Sequence, residues 1–409
     1  MLSKCWEQEA MGYTSNYQSQ VFAEGGSSFP FTMDGWERAA RSALPRRDFD
    51  YFAGGAGREV TLAANREAFD RWGLIYKVLR EEGDADPARV VMGTSMSMPV
   101  MLAPAGVAGL AHPEAEQAAA RAAAEAGVVH VLSATTSTSL EQVAQAAPEG
   151  RRWFQFAWPD DELLARSLVT RAENAGYSAI MVMGDCYVAG WRPRELASGF
   201  SPFLVAHGLG NYLSDPRFRE LAELDADVEP RQEPTAATQA AAETWNRIFT
   251  RPTFRPQDLE RLRSWTALPI IVKGVCAPAE AAQLYQAGVD ALVVSNHGGR
   301  QLDNGVAALD CLPPVITAVD GRIPVLFDSG IRSGADVLIA LALGAEAVLV
   351  GRAWLYALAV GGQAGVEHLL HCLKAEFTSA LALTGHHRCD TLSPRDLTPV
   401  IPPHRKGTP

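Results

Sequence analysis

The chain is poor in cysteine, lacks any long apolar run and carries no excess of basic charge, and each lack narrows what it can be. Its six cysteines, at 5, 186, 276, 311, 372 and 389 of 409 residues, make no CxxC pair and no metal-ligand spacing. That excludes a disulfide scaffold, predicts no metal site, and predicts reduced thiols in a cytoplasmic protein. No stretch approaches the roughly 18 apolar residues of a membrane-spanning helix. The opening MLSKCWEQEAMGYTSNYQSQ has no apolar core of a signal peptide. The balance of 36 Lys+Arg against 47 Asp+Glu gives −11, so neither nucleic acid nor an anionic membrane is expected as a partner. A local basic pocket for a small anion is still compatible with that balance.

What is present is a rhythm. Residues 1–33 read as a polar, loosely packed arm. From Asp34 an amphipathic helix is predicted, with Trp36, Ala39, Ala40 and Leu44 on one face and Pro45 as its end. Short, evenly apolar runs then recur at 99–104, 128–134, 152–157, 179–185, 269–274, 291–296, 324–330 and 347–352. Each is too short for a helix and too uniformly apolar for a half-exposed strand, which predicts buried parallel strands. Helical patterns lie between them, at 114–127, 161–176, 278–288 and 333–344, several closing on glycine as a C-cap. Eight such units predict an α/β protein, a (β/α)8 TIM barrel spanning 34–400, with 401–409 as a tail. A doubly wound sheet is the alternative. One interval breaks the rhythm: about 187–265 is a long insertion after the fourth run, expected to be a partly mobile substrate lid on the catalytic face.

In such a barrel the residues just after the strands share one pocket. Those positions hold Pro104, Ala105 and Gly106, then Ser133, Gln155, Asp185, Lys273, Ser295, His297 and Arg300, then Asp328, Gly330 and Arg332, then Gly351 and Arg352. The last two loops, DSGIRSG (328–334) and GRA (351–353), suit a phosphate: small residues admit backbone N–H groups, a helix N-terminus follows, and the arginines add charge. Glycine turns with surface arginines are the plainer reading. In SNHGGRQLD (295–303), His297 could be a general base and Arg300 a planar clamp for a carboxylate, a pair suited to a 2-hydroxy acid. A lone histidine is as often structural. Asp185 could pair with that imidazole or cap a helix. Lys273 could be a Schiff-base nucleophile, a cationic partner for a cofactor, or a lysine reaching to solvent. His368 with His371, and His386 with His387, read as solvated surface.

Together these segments resemble the FMN-dependent 2-hydroxy acid oxidase/dehydrogenase family over about residues 34–395. SNHGGRQLD, LPIIVKG, PVLFDSGIRSGADVLIALALGA, DYFAGGAG (50–57) and MLAPAGVAGLAHPEAE (101–116) carry the resemblance. GWRPREL (190–196), Asn211-Tyr212, Asp215-Pro216 and ALDCLPPV (308–315) look most like its lactate 2-monooxygenase branch. The resemblance implies FMN as cofactor, a small 2-hydroxy acid and O2 as substrates, and a homo-oligomer, tetramer or octamer. It implies that His297, assisted by Asp185, takes the substrate proton, and that Arg300, Tyr51 and Arg192 surround the carboxylate. Lys273 would stabilise the negative charge of reduced flavin. Pro104, Ala105, Gly106, Ser133, Gln155 and Ser295 would contact its ring and chain, and Asp328, Gly330, Arg332, Gly351 and Arg352 its ribityl phosphate.

Two departures stand out. The family pattern Gln-Leu-Tyr after the third strand is here Gln155-Phe156-Ala157, and Thr-x-Asp-Thr after the fourth is Met183-Gly184-Asp185-Cys186. The first removes a ring and a hydroxyl, which predicts a substrate bulkier than lactate. A flavin-binding barrel with altered or lost activity, and a non-flavin phosphate-binding lyase built on Lys273, are the competing expectations.

Overall fold

The structure, a computed structural model, describes residues 15–78, 84–249 and 255–400. Eight parallel strands close into a barrel: β1 (Val100–Leu102), β2 (Val129–Leu132), β3 (Arg151–Phe156), β4 (Ile180–Met183), β5 (Ile270–Val275), β6 (Ala291–Val294), β7 (Val325–Asp328) and β8 (Val348–Val350). The ring shuts where β8 pairs with β1, Val348 opposite Val100. Each of the eight apolar runs supplies one strand, so the closed barrel replaces the open doubly wound alternative.

The uniform apolarity of the runs has a two-sided cause. Alternate residues point to opposite faces, and both faces are dry. Met101, Val129, Val131, Trp153, Met181, Ile271, Val293, Leu326 and Leu349 fill the barrel interior. Their neighbours Leu102, Leu132, Phe154, Val182, Val272, Val294, Phe327 and Val350 pack outward against the helices. Below, the hairpin of Arg89–Val91 and Thr94–Met96 plugs the N-terminal mouth, placing Val91 and Met96 in the interior cluster.

The predicted helices form with their caps. Thr32 caps Met33–Ala43, which buries Met33, Trp36 and Ala40, and Asp161 caps Glu162–Asn174. Ser333 caps Gly334–Ala342, and Gly127, Gly176, Gly288 and Gly344 follow their helices with φ of 67°, 75°, 83° and 107°. Among the described residues, no helix is long and apolar enough to cross a membrane.

Three expectations need correction. The arm is not wholly loose: within its described part, Asn16–Ala23 is a helix whose Tyr17 hydroxyl lies 2.6 Å from Nδ1 of His368. His368 is itself buried, ringed by Phe29, Phe31 and Trp36, because its helix face meets the arm rather than water. His386 is buried too, 2.9 Å from an Asp396 carboxylate oxygen. Much of the β4–β5 insertion is also scaffold. Tyr212 packs with Phe218, Trp245 and Phe249 in a small aromatic core. Asn211 accepts from the Leu140 amide at 2.8 Å, and Arg171 reaches Asp215 at 2.9 Å. Its last helix, Pro256–Trp265, is followed directly by β5.

Candidate active site

Continuing the inward parity of each strand by one step reaches a different chemistry. Val131 leads to Ser133, Trp153 to Gln155 and Ala157, Met181 to Met183 and Asp185, Ile271 to Lys273, Val293 to Ser295, Leu326 to Asp328 and Leu349 to Gly351. The apolar interior layers therefore end in a polar layer at the C-terminal mouth. Pro104, Ala105 and Gly106 follow β1 at the same end, where a Cβ on Gly106 would stand 2.2 Å from Thr135 Oγ1.

Lys273 is 3% exposed, so it does not reach to solvent. Its Nζ lies 2.9 Å from Ser295 Oγ and 2.8 Å from Asp328 Oδ2. Burial pulls its pKa down, but the Asp328 and Asp185 carboxylates outweigh that and hold it above the ordinary lysine value. A lysine held as an ammonium is a poor Schiff-base nucleophile, which argues against that role.

His297 follows β6 in a left-handed conformation, φ 57°. That backbone costs about 1–3 kcal/mol and is held by bonds on both sides. The His297 amide donates to Ser295 Oγ at 3.0 Å, and the Gly298 amide to Ser329 Oγ at 3.0 Å. Nδ1 of the ring faces Asp185, 3.2 Å from Oδ2, so Asp185 is a histidine partner and starts no helix. The approach depends on Gly274, φ 106°, where a Cβ would lie 2.5 Å from that of Asp185. Burial works to raise the Asp185 carboxyl, yet the imidazole and the Lys273 ammonium prevail and hold it at about 2. Burial also lowers the His297 pKa, with the carboxylate only partly opposing it.

That direction makes a prediction. If His297 is the base that the sequence suggests, it must be neutral to act, so kcat/KM should stay level on acidification to below about 6.5, the free-histidine value. Asp185→Asn removes the group that raises the His297 pKa, so the acid limb should move further down while kcat falls. A pH–rate profile from pH 4 to 8 with buffer controls measures both, and a limb well above 6.5 would contradict the assignment.

Arg300 offers few free donors. Its Nη1 donates to the Tyr51 and Gly54 carbonyl oxygens at 2.7 and 2.9 Å, and its Nη2 to Glu195 at 2.7 Å. Its guanidinium carbon lies 5.3 Å from the centre of the Tyr51 ring, on the helix Arg46–Ala53. Arg192 joins the group through the Arg300 carbonyl at 3.1 Å and Gln301 Oε1 at 2.9 Å. Two residues here carried no expected role. Glu195 lies 3.4 Å from Arg192, the i,i+3 spacing being its one visible signal. Gln301 donates to the Asp185 and Val188 carbonyls at 2.8 and 2.9 Å, tying the start of the insertion to the His297 loop. A third, Glu116, stands out only as an acid in an alanine-rich helix. It is buried and accepts from the Ala108 and Ser137 amides, bracing the loops after β1 and β2.

Arg332 and Arg352 are not surface arginines. Arg352 donates to the Phe52, Gly298 and Gly54 carbonyls at 3.1, 2.9 and 2.9 Å. Burial, then the nearby Arg300 charge, lowers it to about 9. Burial likewise lowers Arg332, while Asp336 pairs instead with Arg66. Among the described residues neither guanidinium has a carboxylate within ion-pair distance. A phosphate ester would supply these two half-buried cations, beside Gly330 and Gly351, with the paired anion that no described carboxylate provides.

The fold and this mouth define a (β/α)8 barrel with a polar, cation-bearing C-terminal mouth, and comparison with known proteins gives the family. Residues 40–399 match the family model described as FMN-dependent dehydrogenase, and the chain belongs to that family. It is 41% identical over 349 residues to the 4-hydroxymandelate oxidase of Amycolatopsis orientalis, covering 85% of this chain and 93% of that protein. It is 37% identical over 357 residues to an L-lactate oxidase of Lysinibacillus sphaericus (strain C3-41), covering 87% and 90%. A crystal structure of mandelate oxidase with (S)-4-hydroxymandelic acid superposes with a TM-score of 0.80 at 38% identity, covering 91% of this chain and 99% of that one. The enzyme is thus an FMN-dependent oxidoreductase of 2-hydroxy acids.

Proposed function

We propose that this enzyme oxidises an L-2-hydroxy acid with a side chain larger than that of lactate, of mandelate size, and uses O2 to accept the electrons. The observation that carries the reading is Ala157, which follows β3 with inward parity, where the family pattern has tyrosine. A methyl group there leaves room for a substrate ring. Relatives named for mandelate and 4-hydroxymandelate accord with this reading, beside others named for L-lactate.

In this reading the substrate carboxylate takes the Arg300 donors that Tyr51, Gly54 and Glu195 leave free, with Arg192 adding charge at the edge. His297 accepts the 2-hydroxyl proton at Nε2, the nitrogen turned away from Asp185, and the Asp185 carboxylate stabilises the imidazolium that forms. Bound FMN supplies a two-electron acceptor. Lys273 supplies fixed positive charge where negative charge develops on reduction. Ser133, Gln155, Ser295 and the Pro104–Gly106 segment would line the ring and chain, and Asp328, Gly330, Arg332, Gly351 and Arg352 the ribityl phosphate. The products are the 2-keto acid and hydrogen peroxide where the keto acid leaves before O2 reacts. They are a one-carbon-shorter acid, CO2 and water where it stays.

Anaerobic bleaching of the flavin with a panel of 2-hydroxy acids tests the substrate class, and peroxide and CO2 yields in air test the outcome. Wild type should prefer mandelate-sized acids. Ala157→Tyr should reverse the order, lowering kcat/KM for mandelate by about tenfold or more through lost space. A clear wild-type preference for lactate would sink the reading.

A further inference from the structure

Among the described residues, Asp185, Cys186 and His297 are the one trio of potential metal ligands whose donor atoms all lie within 4.8 Å of one another. Nδ1 of His297 is 3.3 Å from Asp185 Oδ1 and 3.3 Å from Cys186 Sγ, and that sulfur is 3.5 Å from Asp185 Oδ1. Zinc bonds of about 2.3 Å to sulfur and 2.0–2.2 Å to nitrogen and oxygen, at tetrahedral angles, space the ligand atoms about 3.4–3.6 Å apart. The three side chains already form such a face to within a few tenths of an ångström. All three are half-buried at the barrel mouth.

We propose that Asp185, Cys186 and His297 bind a thiophilic divalent cation, zinc in particular, and that the bound ion switches the enzyme off by occupying Nδ1 of its base. The inference rests on the role proposed above for His297. Cys186 enters as thiolate, its proton leaving to solvent, and gives the set the soft ligand that favours zinc over magnesium or calcium. An imidazole that donates the Nδ1 lone pair to a metal carries its one remaining proton on Nε2. Nε2 then has no lone pair to accept a substrate proton. The ion therefore silences the base without blocking Arg300, so kcat should fall more than KM rises. The cysteine is what distinguishes this chain: a threonine, as in the family pattern at this position, offers no thiolate.

Two readouts on the FMN-loaded enzyme test this. Metal analysis and calorimetry should show zinc bound at this site, with turnover lost as it fills and restored by EDTA. Co(II) in place of zinc should give the intense red d–d absorption of a tetrahedral thiolate site, which lies beyond the flavin bands and needs no turnover. Cys186→Ser should abolish the cobalt bands and weaken zinc binding by more than about tenfold, with inhibition judged against the variant's own metal-free rate. Flavin absorbance and thermal melting report whether the variant folds, and the wild-type cobalt spectrum stands without it. Weak, six-coordinate cobalt absorption in the wild type would overturn the proposal. So would cobalt bands or zinc inhibition unchanged in Cys186→Ser, which would point to other thiols such as Cys276 and Cys311. Zinc binding with intact turnover would instead remove His297 from its role as base.

Discussion

His297→Gln is expected to lower kcat by about 10²–10⁴-fold, the usual contribution of a positioned general base, while FMN binding and thermal stability stay near wild type. Glutamine preserves a polar group of similar reach, but it has no basic nitrogen. The loop that carries it should survive, because its left-handed turn is held by the Ser295 and Ser329 hydroxyls and not by the ring. Asp185 would lose its partner, 3.2 Å away, yet keep the Lys273 charge that also lowers its pKa. Single-turnover flavin reduction with a mandelate-sized acid is the measurement. It isolates the proton-coupled step from O2 chemistry and product release. A reduction rate within threefold of wild type would mean that another group takes the proton.

Arg352→Met is expected to act on the cofactor instead. Arg352 holds three carbonyl oxygens, of Phe52, Gly54 and Gly298, and among the described residues no carboxylate lies within ion-pair distance of it. A hydrogen bond to a charged group contributes about 1.5–3 kcal/mol, so losing its bond to a phosphate should weaken FMN binding roughly 10–150-fold. The variant should come off a desalting column partly colourless. Arg352→Lys keeps the charge but loses the fork, and should fall between the two. Because the arginine also joins the Tyr51–Gly54 segment to the His297 loop, apoprotein melting must be followed alongside. Equal melting with weaker FMN retention places the effect at the phosphate. Unchanged retention would take Arg352 out of the cofactor site.

The barrel was legible because each strand is buried on both faces, and near-uniform apolarity over six or seven residues leaves a strong signal. The candidate site was legible because strand ends are fixed relative to the runs that precede them. Lys273 is an example: its place at the end of an apolar run puts it at the mouth, although the run does not say whether it is paired there or reaches to solvent. The insertion was harder to read. Its aromatic core around Tyr212 and Trp245 is assembled from residues scattered over more than thirty positions, with no period to reveal it. His368 misled for a related reason, since the rings that bury it come from the arm and from Trp36, not from its own helix.

Sequence by itself determined the eight strands, their order along the chain and the identity of the groups at their ends, because strand periodicity is local and side-chain parity carries it past each terminus. Only the tertiary structure decided which of those groups are partners. Closing the cylinder sets Asp185 and Cys186 of one loop beside His297 of another, pairs Lys273 with Asp328, gives Glu195 to Arg300, and, among the described residues, leaves Arg332 and Arg352 without an ion-paired carboxylate. Such pairings depend on distance in space between segments far apart in the chain, and no local pattern encodes that distance.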